Sequence, residues 1–222
     1  MANDKREKTG NKHNFILYRF MARRYRPPGV LLVVMGIVAL LPTFVPQLRF
    51  QTAFLNYQQL AIIGGASILV GLVLYIGAVL AERRAFVQCL PDYILISTMF
   101  QRVYVSYQRI NSVQPVQVGR VFDIKSIKKE REQKLIKPLL AEPAVELVLS
   151  SFPLPESQLR KAFTQFLFST RNIGFIFIVP KPSALSNEIS TFMQRAADER
   201  DADQQRYLDP IERLKYQEGK TF

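Results

Sequence analysis

Cysteine and histidine are almost missing from this chain: each occurs once, as Cys89 and His13. A single cysteine allows no intrachain disulfide and no thiolate cluster. With His13 in a polar N-terminal arm, metal sites built on His and Cys and His-dependent triads are excluded by count. Also missing are a phosphate-binding loop, a G-x-G-x-x-G turn and an H-E-x-x-H pair. The carboxylates Glu142, Glu146 and Glu156 show no spacing suited to paired acid–base work, and Gly65-Ala66-Ser67 lacks the nucleophile-elbow pattern. Cys89, beside Val87 and Leu90 in a predicted strand, reads as a small wall residue rather than a nucleophile. The expectation is a non-enzyme with no catalytic residue, no cofactor and no metal.

Charge is absent from two long stretches. Leu60–Ala81 runs twenty-two residues without a charged side chain. As a helix it is roughly 33 Å long, enough to cross a hydrocarbon core of about 30 Å. Pro28–Pro46 is also uncharged, shorter, and interrupted by Pro42. A membrane helix tolerates a proline near its end, where the freed carbonyl finds another donor. These stretches predict a transmembrane hairpin over residues 29–81, with spans at about 29–46 and 60–81. Neither span holds an Asp, Glu, Lys, Arg or His, so nothing marks a proton relay, an ion site or a gating charge.

Basic residues surround these stretches. The chain holds 30 Lys and Arg against 18 Asp and Glu. Residues 1–26 carry eight of the basic side chains and residues 83–137 eleven, while the charges nearly cancel after Asp198. Anionic lipid attracts such flanks at about 1 kcal/mol per residue, which accounts for the high pI without nucleic acid. The connector Gln47–Gln59 has one charge, Arg49. By the positive-inside rule, both termini then face the cytoplasm and the connector faces out, as a multi-pass protein of the inner, cytoplasmic membrane. The N-terminus does not read as a signal peptide, because its basic lead is long and no small-x-small cleavage site follows.

Residues 1–28 read as a basic cytoplasmic arm, disordered over 1–13. In Asn14–Arg26 aromatics alternate with Arg19, Arg23, Arg24 and Arg26, which suits either an interfacial helix or a plain juxtamembrane linker, ended by Pro27-Pro28. Within the hairpin, Gly29, Gly36 and Thr43 recur every seven residues, and so do Gly64, Gly71 and Ala78. Small residues at heptad spacing let membrane helices approach closely. Aligned antiparallel, they predict the facing pairs Gly29–Ala78, Gly36–Gly71 and Thr43–Gly64.

After Arg84 the hydrophobic period changes to two. Short strands are predicted at Ala85–Cys89, Tyr93–Ser97 and Val103–Tyr107, with a fourth at Asn111–Val118 that Pro115 confines to an edge or bulge. Gly119–Pro143 is irregular and basic, the pattern of a solvated loop or helix face. Strands follow at Ala144–Leu149 and Asn172–Val179. Between them Leu159, Phe163, Phe166 and Leu167 have helical spacing within Pro155–Ser169. A helix opens near Pro182-Ser183, with Ser183 as its predicted N-cap and Leu185, Ile189, Phe192 and Met193 on one face. Residues 197–222 form a charged tail, read as a solvated helix, a free end or a docking segment.

The string DYILISTMFQRVYVSYQRINSVQPV, with Tyr107, Arg109, Ile110 and Val113 in its Y-x-R-I-x-x-V segment, resembles the opening meander of bacterial pleckstrin-homology-like (PH-like) domains. Membrane members of that family often place the domain directly after a two-helix hairpin. The resemblance implies a membrane-anchored α+β protein whose residues 82–196 form a PH-like β-barrel or sandwich with a C-terminal capping helix. It also implies a scaffolding or assembly role through protein contacts. Two other readings stand beside it. One is sensing of anionic lipid by Lys125, Lys128, Lys129, Arg131 and Lys134. The other is an accessory subunit of a larger membrane complex. The expected partners are the bilayer and a membrane or cytoplasmic protein, a second copy of the chain included, with no nucleic acid.

Overall fold

The computed structural model describes residues 9–44, 57–124, 127 and 129–207. A short strand, β1 (Lys12–Asn14), leads into two long helices, α1 (Ile16–Phe44) and α2 (Tyr57–Arg84). Both helices are long and apolar enough to span a membrane. They pack on each other, yet Leu31, Met35, Ile62 and Leu69 stay between 58 and 71% exposed. A helix that is apolar all round suits a buried core or a bilayer, and a core would cover these side chains.

Three departures from expectation fall in the N-terminal segment. Residues 12–14 form a strand, pairing Lys12, His13 and Asn14 with Gln88, Val87 and Phe86. His13 therefore belongs to a sheet and not to a loose arm. Pro27-Pro28 does not separate Asn14–Arg26 from the apolar stretch that follows, because α1 is continuous from Ile16 and contains Pro27, Pro28 and Pro42. The first two prolines remove the helical donors of the Arg23 and Arg24 carbonyls, at a level where both arginines are exposed to water. The helical hairpin thus starts about three and a half turns earlier than the charge-free stretch suggests. Most of the connector, residues 45–56, lies outside the described residues.

The remaining elements are β2 (Phe86–Cys89), β3 (Tyr93–Ser97), β4 (Arg102–Ser106), β5 (Ile110–Gln117), α3 (Val118–Val121), α4 (Glu130–Ile136), β6 (Pro143–Leu149), α5 (Glu156–Ala162), β7 (Gly174–Phe177) and α6 (Pro182–Tyr207). They build two antiparallel sheets, ordered β1-β2-β3-β4 and β5-β6-β7. The hairpin is therefore inserted between the first two strands of the larger sheet. Pro115 sits in β5, an edge strand with a register shift near Ile110, as a strand proline requires.

One core joins both sheets and α6, through residues such as Val87, Ile94 and Val105, Leu147 and Phe177, and Leu185 and Ile189. A second covers the outer face of the three-stranded sheet. There Val121, Phe122, Ile136 and Leu139 pack on Ala144, Ile176 and Ile178. The basic stretch after β5 is thus a cover with a buried apolar side and not a plain solvated loop. Its apolar residues are too irregularly spaced to show a period.

The helix expected over Pro155–Ser169 stops at Ala162, and Phe163 is extended. The turn sends Phe163 into the first core and Phe166 into the second, which one helical face cannot do. In α6 the Lys181 carbonyl accepts the first helical bond, from the Leu185 N–H. Pro182 is then the first helical residue, where its missing N–H costs nothing, and Ser183 is already inside the helix rather than capping it. The helix continues to Tyr207, so the described part of the tail extends α6, and residues 208–222 lie outside the described residues.

Candidate functional site

The seam of the hairpin is made of the expected small residues in a different register. Gly29, Gly36, Gly64 and Gly71 are all buried, as are Ala22, Ala78 and Ala85 at the same heptad spacing. The close approaches are Gly29 to Gly71 and Gly36 to Gly64. A Cβ on Gly36 would lie 2.6 Å from the Gly64 carbonyl oxygen, and one on Gly71 would lie 2.7 Å from the Gly29 carbonyl oxygen. The predicted partners are thus displaced by one heptad: Gly36 meets Gly64 rather than Gly71, and Gly29 meets Gly71 rather than Ala78. The side chain of Thr43 lies outside the described residues. The reason lies at the base of the hairpin. The β1–β2 ladder pairs residues whose numbers sum to 100, and the Phe15 N–H donates to the Ala85 carbonyl at 3.2 Å in the same register. The helices inherit that alignment.

Glu82 ties the base together, accepting from Arg26 and lying 3.7 Å from the Arg19 guanidinium. Arg26 is about eight residues, or roughly 12 Å, above Glu82 in this register. The pair still meets because helical side chains lean toward their own N-termini, which in antiparallel helices turns them toward each other.

Beside this base lies an apolar groove of about 480 Å³. Its floor is Ala22, Gly77, Ala78 and Ala81, its domain wall is Phe163, and its rim carries Lys161 and Phe100. Nearly all of its surface is apolar. Phe100, in the β3–β4 turn, is 83% exposed. Sequence reading missed this groove, since four separate segments form it. The exposed Phe100 is its one local sign.

The predicted lipid-contacting cluster is partly described. Lys125 and Lys128 lie outside the described residues. Lys129, Arg131 and Lys134 are exposed on or beside α4. Two of them are engaged locally, Lys129 with Glu132 at 3.2 Å and Lys134 with Glu130 at 2.5 Å. These ion pairs dilute the positive field of the segment.

The two sheets differ in how they meet solvent. In the three-stranded sheet β7 is buried along its whole length and β6 mostly so, while the edge strand β5 exposes Asn111, Gln114, Pro115 and Gln117. In the larger sheet β2 and β3 alternate, leaving one face open. On that face Leu95 lies opposite Tyr104, whose ring meets Tyr93 edge-on at 5.0 Å, and Lys12 stands over the Phe86 ring.

Where α6 crosses the sheet, Glu188 accepts from the Asn11 N–H at 2.8 Å and contacts His13 Nε2 at 3.0 Å. Burial, with the Glu188 charge added, pushes the Cys89 thiol up to about 12. Tyr107, which donates to the Leu90 carbonyl at 2.7 Å, is pushed up by burial and then by Cys89. Such a thiol stays protonated and unreactive. Among the described residues no group of three or more His, Cys, Asp or Glu side chains could hold a metal ion. Comparison of the chain with protein-family models, with curated proteins and with solved structures finds no match.

Proposed function

We propose that the chain is a non-enzymatic integral membrane protein whose hairpin holds a cytoplasmic PH-like domain against the bilayer as a docking platform for another protein. The observation that carries this reading is the open aromatic face of the four-stranded sheet. Tyr93, Leu95 and Tyr104 are grouped there, whereas in the opposite sheet β7 is wholly buried and β6 mostly so. Clustered tyrosines are the side chains that dominate protein interfaces. The PH-like reading is supported by the seven strands among the described residues, in two antiparallel sheets that share a core with α6. Membrane residence is supported by the exposed apolar surface of α1 and α2. The domain joins the helices without a flexible linker, because β1 and β2 continue directly from the helix ends. A platform fixed in this way presents its face at a constant height and angle.

The test is site-specific photo-cross-linking in cells, with the photoreactive residue in place of Tyr104 and, as control, in place of Leu69. A discrete protein adduct from position 104 that Tyr93→Ala weakens supports the platform. No protein adduct from position 104 in a membrane-resident chain overturns it.

A further inference from the structure

We infer that the groove at the base of the hairpin holds one acyl chain of a bilayer phospholipid, with the lipid phosphate at Lys161. The inference rests on the proposed membrane location and adds a ligand site to it. Four observations point to this occupant.

The groove opens onto the outer surface of the hairpin. Val73 and Leu74 belong to its lining and remain 63% and 38% exposed, continuous with the apolar flank of α2. A lipid chain can enter sideways without crossing water. The groove also follows the helix axis: from Val73 to Ala81 is eight residues, about 12 Å.

Most of its lining surface is apolar, and its polar side chains are those of Tyr18, Tyr25, Thr98, Lys161 and Thr164. An extended peptide there would bury amides without partners, at about 1–3 kcal/mol or more each, whereas a hydrocarbon chain has no such need.

Charge lies only at the rim. Lys161 is exposed there, and no carboxylate lines the groove among the described residues. The exposed Arg23, Arg24, Arg83 and Arg84 lie on the same end of the hairpin, which favours an anionic phosphate at that depth. Phe100 and Met99 supply apolar contact beside the opening.

Two glycines of α2 provide matched variants. A Cβ on Gly77, in the groove floor, or on Gly65, higher on the same helix, would meet nothing within 4 Å. A large side chain is accommodated at either position without parting the helices, but only Gly77→Trp fills the groove.

The full chain is reconstituted in nanodiscs containing a phospholipid with a diazirine in its acyl chain, irradiated, and mapped by mass spectrometry. The expected result is adducts concentrated on Tyr18, Met21 and Met99, exceeding those on Ile62 and Leu69 several-fold. Gly77→Trp lowers the groove adducts about tenfold, as expected when roughly two methylenes lose their burial, and Gly65→Trp leaves them unchanged. Even labelling along the exposed flanks of α1 and α2 overturns the groove assignment and leaves the membrane reading standing, as does a groove unlabelled because another part of the chain fills it. No labelling anywhere on α1 or α2 overturns both. The wild-type distribution decides between these outcomes whether or not a variant folds.

Discussion

Replacing Gly36 by alanine adds one methyl group at the tightest point of the seam. That methyl would sit 2.6 Å from both the Gly64 carbonyl oxygen and Ile68 Cγ1, where ordinary contact begins near 3.4 Å. A backbone carbonyl within a helix cannot swing aside, so the helices must part locally by about 0.8 Å. A gap of that size forfeits roughly a quarter to a half of the dispersion energy of each seam contact. Overpacking of this kind costs about 1–3 kcal/mol. Gly71→Ala, at 2.7 Å from the Gly29 carbonyl, falls in the same range. Gly29→Ala and Gly64→Ala, at 3.1 and 3.0 Å from backbone oxygens, cost less. Gly65→Ala meets nothing and gains helix propensity worth up to about 1 kcal/mol. Unfolding of the purified chain in mixed micelles, followed by circular dichroism, ranks the five variants. If Gly65→Ala destabilises as much as Gly36→Ala, the packing argument is refuted.

The register has its own test: with Cys89→Ser as background, Gly36→Cys joined to Gly64→Cys oxidises to an intrachain disulfide faster than Gly36→Cys joined to Gly71→Cys, and the reverse order contradicts the alignment. Glu82→Gln leaves Arg19 and Arg26 without their counter-charge and lowers stability by about 1 kcal/mol, since the carboxylate is only partly buried; an unchanged unfolding midpoint removes Glu82 from the account of the hairpin base. Cys89 resists iodoacetamide at pH 8 until the chain is unfolded, and native reactivity equal to that of a free thiol would show the thiol is not held up by burial. Because its ionisation moves from 9.0 to about 12 on folding, the unfolded chain binds fewer protons between those values. Stability therefore falls as pH rises through that window, and Cys89→Ala shallows the fall.

The hairpin and most strands are legible because each rests on a local period or on a run without charge. Arg102–Ser106 alternates, with Val103 and Val105 buried and Arg102 and Tyr104 exposed, and Leu60–Ala81 has no charge to break it. What stayed hidden depends on contacts distant in sequence. Lys12–Asn14 has no strand pattern of its own; it is a strand because Val87 and its neighbours supply a ladder more than seventy residues away. The heptad columns were readable, but their alignment was not, because two seven-residue repeats match equally well after a slip of one heptad. The β1–β2 ladder chooses between the two alignments. Pro27-Pro28 looks like a helix stop when read locally, yet packing of α1 on α2 carries the helix through it. Around Val121, Phe122 and Ile136 the lysines obscure an apolar cover whose sides only the three-stranded sheet defines. The groove combines all of these features, since it exists only once the hairpin register and the turn at Phe163 are set.

Reporter fusions measure the central claim, a hairpin that keeps the sheet domain in the cytoplasm, most directly. A fusion after Phe222 should report the cytoplasmic side, and one placed within residues 50–58 the opposite side. An external signal from the Phe222 fusion, or the same side from both, would contradict a membrane hairpin bearing a cytoplasmic platform.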